Sequence, residues 1–159
     1  MKLSEQVFRA IPFFSMVDAI AQECLPRVVS KDIKLNGDIG VSTKIIIQIF
    51  VNRVFITLTN FNKFGSIVEC LPSISVINQK LDFRVKTLLG PREDVVNDIY
   101  ARQLTEKIIK MEQFRNPTMF TLKPLLLAVA LKEEMRTPES FRSLIDEVVG
   151  MYEDLTRSS

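Results

Sequence analysis

Thr43-Lys44-Ile45-Ile46-Ile47-Gln48-Ile49-Phe50, then Asn52-Arg53, then Val54-Phe55-Ile56-Thr57-Leu58-Thr59 reads as a β-hairpin, because two β-branched and aromatic runs flank a polar pair. Asn62-Lys63-Phe64-Gly65 and a third run, Ser66 to Leu71, come next, so the spacing predicts three strands in meander order. Period-2 alternation divides this stretch into two faces. One collects Ile45, Ile47, Ile49, Val54, Ile56, Leu58, Val68 and Cys70 and is the expected core. The other collects Lys44, Ile46, Gln48, Phe50, Phe55, Thr57, Thr59, Phe61, Ile67, Glu69 and Leu71, a mixed set rich in large apolar groups for a face that meets water. Such a face is either covered, by another chain or by the N-terminal segment, or is an ordinary surface carrying scattered apolar residues.

Working outward, Phe83 to Leu89 alternates as a further strand, with Phe83, Val85, Thr87 and Leu89 inward and Arg84, Lys86 and Leu88 outward. Pro72 to Asp82, between the two runs, is expected to be a loop. After Gly90, Pro91 suits the first position of a helix and Glu93 and Asp94 its first turn, with Val95, Val96, Ile99, Tyr100, Leu104, Ile108 and Met111 at helical spacing; a helix over about 92–113 follows. Pro124 to Lys132 is apolar on both faces and fits a central strand, although a short buried helix has the same pattern. Thr137 caps a second helix with Pro138 at its first position and a stripe of Phe141, Leu144, Ile145, Val148, Val149, Tyr152 and Leu155. Upstream, Lys31 to Leu35 is extended and Asn36-Gly37-Asp38 marks a tight turn. Ser15 could cap a short helix carrying Met16, Val17, Ile20, Ala21, Cys24 and Leu25, stopped by Pro26; it docks either on a partner or membrane surface or on its own domain.

The implied fold is α+β: a mainly antiparallel sheet of about six strands with two helices on one face and an N-terminal extension that is a candidate helix. The implied organisation is an extension over 1–30, one domain over 31–155 and a short tail over 156–159. A chain of 159 residues, 47% hydrophobic and 25% charged, is long enough to bury a core without staples and is not composed like a disordered one. A net charge of +2 lacks the footprint of a nucleic-acid binder. Two cysteines suit a reduced compartment, cytoplasmic or nuclear, and Glu5, Gln6 and Arg9 interrupt any signal-peptide core. The longest apolar runs fall short of the ~20 residues that cross a membrane, so a soluble protein without membrane partners is expected.

The chain has no histidine, which removes Ser-His-Asp and Cys-His catalysis and histidine metal sites. Cys70 alternates onto the core face and reads as a buried thiol. Asp94 and Asp98, spaced i, i+4, suggest paired-carboxylate chemistry or solvated helix charges. The loops at Gly65 and Gly90 lack phosphate-cradling patterns. Lys80, Arg84, Lys86 and Arg92 form either a modest basic patch for an acidic protein surface or an ordinary solvated surface. These residues predict neither catalytic, cofactor-binding nor metal sites.

Val54 to Leu71 with its Thr59-Asn60-Phe61-Asn62-Lys63-Phe64-Gly65 turn, Val85-Lys86-Thr87-Leu88-Leu89-Gly90, an acidic-start helix, and Leu125 to Lys132 together resemble the proteasome assembly chaperone 3 family. The resemblance spans roughly 40–149 and rests on the co-occurrence of these blocks. It implies a non-enzymatic chaperone that needs no cofactor. It also implies a dimer, with a proteasome assembly chaperone 4-like protein or with a second copy, that binds 20S proteasome α subunits during α-ring formation. The face division then offers Ile46, Phe50, Phe55, Phe61, Ile67 and Leu71 for the dimer partner, and Lys63, Phe64, Arg84, Lys86 and Arg92 for α subunits. A longin-like or profilin-like adaptor in trafficking or signalling is the alternative without catalysis.

Overall fold

The computed structural model of the chain describes residues 25–35, 41–92 and 94–158. The N-terminal stripe from Ser15 to Cys24 and the Asn36-Gly37-Asp38 turn lie outside them. Alternating β-branched residues set the strands β1 (Arg27–Lys34), β2 (Ser42–Ile49), β3 (Val54–Thr59), β4 (Ser66–Ile74) and β5 (Leu81–Leu89). They are followed by helix α1 (Val95–Arg115), strand β6 (Leu125–Ala130), a 3₁₀ turn at Glu133–Met135 and helix α2 (Pro138–Arg157). The sheet order is β1-β2-β3-β6-β4-β5, antiparallel throughout except for the parallel β3–β6 pair.

The hairpin forms as its sequence dictates, with Ile47 opposite Ile56 and Phe50 N–H donating to the Arg53 carbonyl across the turn. The meander does not. β6 is inserted between β3 and β4, pairing Thr57 with Ala128 on one side and Val68 with Leu127 on the other. Leu125–Ala130 is apolar on both faces, and the position paired on both sides buries more of such a strand than an edge would.

The expected core face is the core. Ile45, Ile47, Ile56, Leu58, Val68 and Cys70 are all 0% exposed. α1 packs over β4, β5 and β6, α2 over β1 and β2, and the two helices meet each other. α2 starts as its sequence says, the Thr137 hydroxyl accepting from Ser140 N–H at 3.3 Å with Pro138 in the first turn. α1 starts later than the spacing predicts. Asp94 is its cap, accepting from Asn97 N–H at 3.4 Å and Asn97 Nδ2 at 3.0 Å, which leaves Pro91 outside the helix. The buried face of α1 runs through Asn97, Tyr100, Ala101, Leu104, Thr105, Ile108 and Ile109, so Val95 and Ile99, expected inside, are exposed.

Two further corrections have local causes. β4 continues through Pro72 to Ile74, beyond the expected end at Leu71. Its pairing with β6 stops at Cys70, so Pro72 has a partner on one side, β5, where its missing N–H is tolerated. A register shift at Ile67/Val68 sets Leu89 opposite Ile67 and Thr87 opposite Val68. Leu89, expected inward, is thereby carried to the opposite face and is 56% exposed.

Candidate protein-interaction face

Strand register puts definite rows on the sheet face away from the helices. One row runs Val28, Gln48, Phe55, Leu126, Glu69, Lys86; the next runs Ser30, Ile46, Thr57, Ala128, Ile67, Leu89. Leu71 stands opposite Arg84 at the β5 edge. Ile46, Phe55, Ile67 and Leu71 are half-buried, and no described helix lies over them. The centre of this face is apolar and its flanks are charged, with Asp32 and Lys44 toward β1 and Arg84 and Lys86 on β5. That pattern is of an apolar centre with a polar rim.

Part of the face is closed by the chain itself. Phe64 turns back from the β3–β4 loop and stacks on Phe55, ring centroids 6.1 Å apart. Thr57 and Ala128, in the row beside Phe55, are 5% and 0% exposed, although they belong to the outer face.

The loop that delivers Phe64 is tightly held. The Thr59 hydroxyl donates to the Lys63 carbonyl at 3.0 Å and accepts from Phe61 N–H at 3.0 Å. Asn60 Nδ2 donates to the Ser42 carbonyl and the Thr43 hydroxyl, Asn60 Oδ1 accepts from Lys132 N–H, and Asn60 N–H donates to the Ala130 carbonyl. Asn62 takes φ 52°, which Asn accepts more readily than most residues. At Gly65 an added Cβ would lie 2.4 Å from the Val129 carbonyl oxygen, so glycine lets the loop descend directly onto the end of β6. Lys63 Nζ sits 5.4 Å from the centre of the Phe61 ring, and Phe61 and Phe64 are 47% and 60% exposed.

Of the six residues proposed for a dimer partner, Ile46, Phe55, Ile67 and Leu71 come together on this face. Phe50 lies in the β2–β3 turn and Phe61 on the β3–β4 loop, at opposite ends of β3. The second set is divided differently from the expectation. Lys63 and Phe64 share the loop and Arg92 lies in the exposed turn after β5, but Arg84 and Lys86 stand on the outer face itself. None of Lys63, Arg84, Lys86 and Arg92 makes an ion pair among the described residues.

Sequence reasoning missed two contributions. Leu126, Ala128 and Ala130 place β6 in the middle of the face, and the alanines at alternate positions were the available sign of a close cover. The β4–β5 hairpin also projects beyond the end of β6, and Val76 and Ile77 at its tip are 96% and 97% exposed. Ser75 N–H donates to the Lys80 carbonyl and Gln79 N–H to the Ser75 carbonyl, both at 2.9 Å, closing the turn. Two aliphatic residues inside an otherwise polar turn were the sign there.

The residues with possible chemistry are occupied structurally. Cys70 is fully buried and desolvation pushes its thiol up, away from the reactive thiolate. Asp94 caps α1 and also accepts from Arg136. Among the described residues no cluster of three His, Cys, Asp or Glu could hold a metal, and no described helix is long and apolar enough to cross a membrane.

The family model described as Proteasome assembly chaperone 3 matches residues 56–150, more than half of the chain. Among solved structures, a chain in the crystal structure of a novel chaperone complex for yeast 20S proteasome assembly is similar in fold. Its TM-score is 0.54 at 13% identity, over 79% of this chain and 98% of that one. No curated protein matches the chain.

Proposed function

This chain belongs to the proteasome assembly chaperone 3 family, and from that premise we propose that it pairs through the outer sheet face and presents its loops to α subunits of the 20S proteasome. The partner is a proteasome assembly chaperone 4-like protein or a second copy, and the pair acts without catalysis, in the cytoplasm or nucleus. The observation that carries this reading is the apolar centre formed by Ile46, Phe55, Leu126, Ile67 and Leu71 on a face that no described helix covers. A specific partner buries about 800 Å² of each surface, and a six-stranded sheet face can supply an area of that order.

Arg84 and Lys86 belong to the margin of the pairing face, where their charges would meet acids of the partner and set orientation. With the face covered, the parts left to reach α subunits are the 60–65 loop with Lys63, the turn at Arg92 and the β4–β5 hairpin tip. Because Asn60 and Thr59 hold the loop in place, binding through it needs little ordering.

Sedimentation velocity tests the pairing. Phe55→Asp and, separately, Ile46→Asp should convert the chaperone pair to monomers with the circular dichroism of the folded chain. An unchanged sedimentation coefficient for both would reject the stacked face. Lys63→Glu should leave the pair intact and weaken α-subunit capture; undiminished capture would remove the loop from that contact.

A further inference from the structure

The sheet ends in two edge strands, β1 and β5, and the helices treat them differently. Over β1, Lys31 pairs with Glu147 of α2, so that helix is tied to the strand by charge. Over β5 the helix presents apolar groups. Val95, Ile99 and Arg102 of α1 fall on one stripe at i, i+4 and i+7, and the Arg102 guanidinium lies 5.6 Å from the centre of the Phe83 ring on β5. Val95 and Ile99 in that stripe are 65% and 47% exposed. Phe83, Val85 and Thr87 are only half-buried, although they belong to the helix side of the sheet. An exposed apolar shelf therefore runs beside the β5 edge.

From Leu81 to Thr87 the strand is in regular register with β4. Phe83 stands opposite Pro72, which has no N–H to give, and the Phe83 N–H donates to the Asp82 carboxylate at 2.8 Å. In an antiparallel ladder the pairing alternates, so the N–H and carbonyl groups of Val85 and Thr87 turn the same way, to the open edge. On the outer face Arg84 and Lys86 flank Val85, and neither makes an ion pair among the described residues, although Glu69 stands opposite Lys86. A second copy of β5 paired over Leu81 to Thr87 would set Arg84 against Arg84, a like-charge contact. Open ladder groups with an apolar shelf on one side and two cations on the other suit an extended peptide that adds to the sheet. We propose that β5 takes up, as a seventh strand, an extended segment of another protein in which apolar residues alternate with acidic ones. Its apolar side chains enter between Phe83 and Val85 below and Val95 and Ile99 above, and its acids meet Arg84 and Lys86. This strand joins in the plane of the sheet, whereas the proposed chaperone partner stacks on its face, so either contact can fail without the other.

Fluorescence anisotropy tests it, with the full chain and a labelled peptide that alternates valine with glutamate over about seven residues, the reach of the regular part of β5. The expected result is saturable binding that slows hydrogen exchange at the Val85 and Thr87 amides. A copy alternating valine with lysine should bind about tenfold more weakly, because it sets like charges against Arg84 and Lys86. Arg84→Glu with Lys86→Glu should reverse that preference, and Arg142→Glu on α2 should leave it unchanged. Val85→Pro removes one outward N–H and should abolish binding with the circular dichroism of the folded chain retained, since an edge strand tolerates proline. Thr87→Pro makes the same test if Val85→Pro does not fold. Equal affinity for the two peptides or undiminished binding by a folded proline variant would each overturn the proposal. So would slow exchange at Val85 and Thr87 before any peptide is added, the sign of a second copy already on the edge.

Discussion

Asn60 joins β2, β3 and the chain after β6 through its side chain and its own N–H, so its amide holds together three segments that are distant in sequence. Asn60→Ala keeps the N–H bond to the Ala130 carbonyl but removes the side-chain bonds to Ser42, Thr43 and Lys132, and should cost about 1–3 kcal/mol in urea unfolding. It should also loosen Lys63 and Phe64, weakening α-subunit capture beyond what the stability loss explains. Tyr100 presents the opposite case: it is fully buried, and its hydroxyl has no hydrogen-bonding partner among the described residues. Burial pushes that hydroxyl to about 12 from an ordinary 10.0, and raises the Tyr152 hydroxyl and the Cys70 thiol as well. In all three the native state holds its proton more tightly than the unfolded chain does. Their contribution to stability is therefore fully present below the thiol's ordinary 9.0 and is lost as pH rises above it. Tyr100→Phe removes an unpaired buried hydroxyl, so it should be neutral or stabilising near pH 7 and should flatten the fall between pH 10.0 and about 12. Denaturant unfolding across that range reads both effects.

The two helices show where local chemistry is legible in sequence. Thr137 with Pro138 announces the start of α2 because a cap and its first turn are adjacent in sequence. The start of α1 is displaced because Asp94 has a better use as a cap, tied to Asn97 and to Arg136 some forty residues away, than as a first-turn charge. Thr137→Ala should cost about 1 kcal/mol in thermal or denaturant unfolding, the value of a lost N-cap. β5 teaches the same lesson in a strand: alternation assigned Phe83, Val85 and Thr87 correctly and failed at Leu89, where a pairing irregularity with β4 resets the phase. Alternation likewise separated core from outer face in β2, β3 and β4. It could not place Arg84 and Lys86 beside Leu71 and Glu69, because which strands are neighbours is a property of the whole sheet.

For the whole molecule, the inner positions, the two helices and their packing on one side were readable, whereas the central strand's place was not. Adjacency in sequence favours β3 beside β4, and only the two-sided apolar content of Leu125–Ala130 argues for parting them. Amide hydrogen exchange should follow the resulting order, slowest in β3 and β6 and fastest in the β4–β5 hairpin beyond Cys70, where Val76 and Ile77 lack burial. Comparable protection at the hairpin tip and in β6 would contradict it. The insertion of β6 also has a consequence for synthesis on the ribosome. β3 and β4 leave the exit tunnel well before residues 125–130 do, and at that stage each strand still lacks its neighbour on the side that β6 will occupy. The sheet therefore closes late. The nascent chain carries two open strand edges until β6 emerges, so a ribosome stalled after α1 should present a protease-sensitive intermediate that extended segments of other chains can invade.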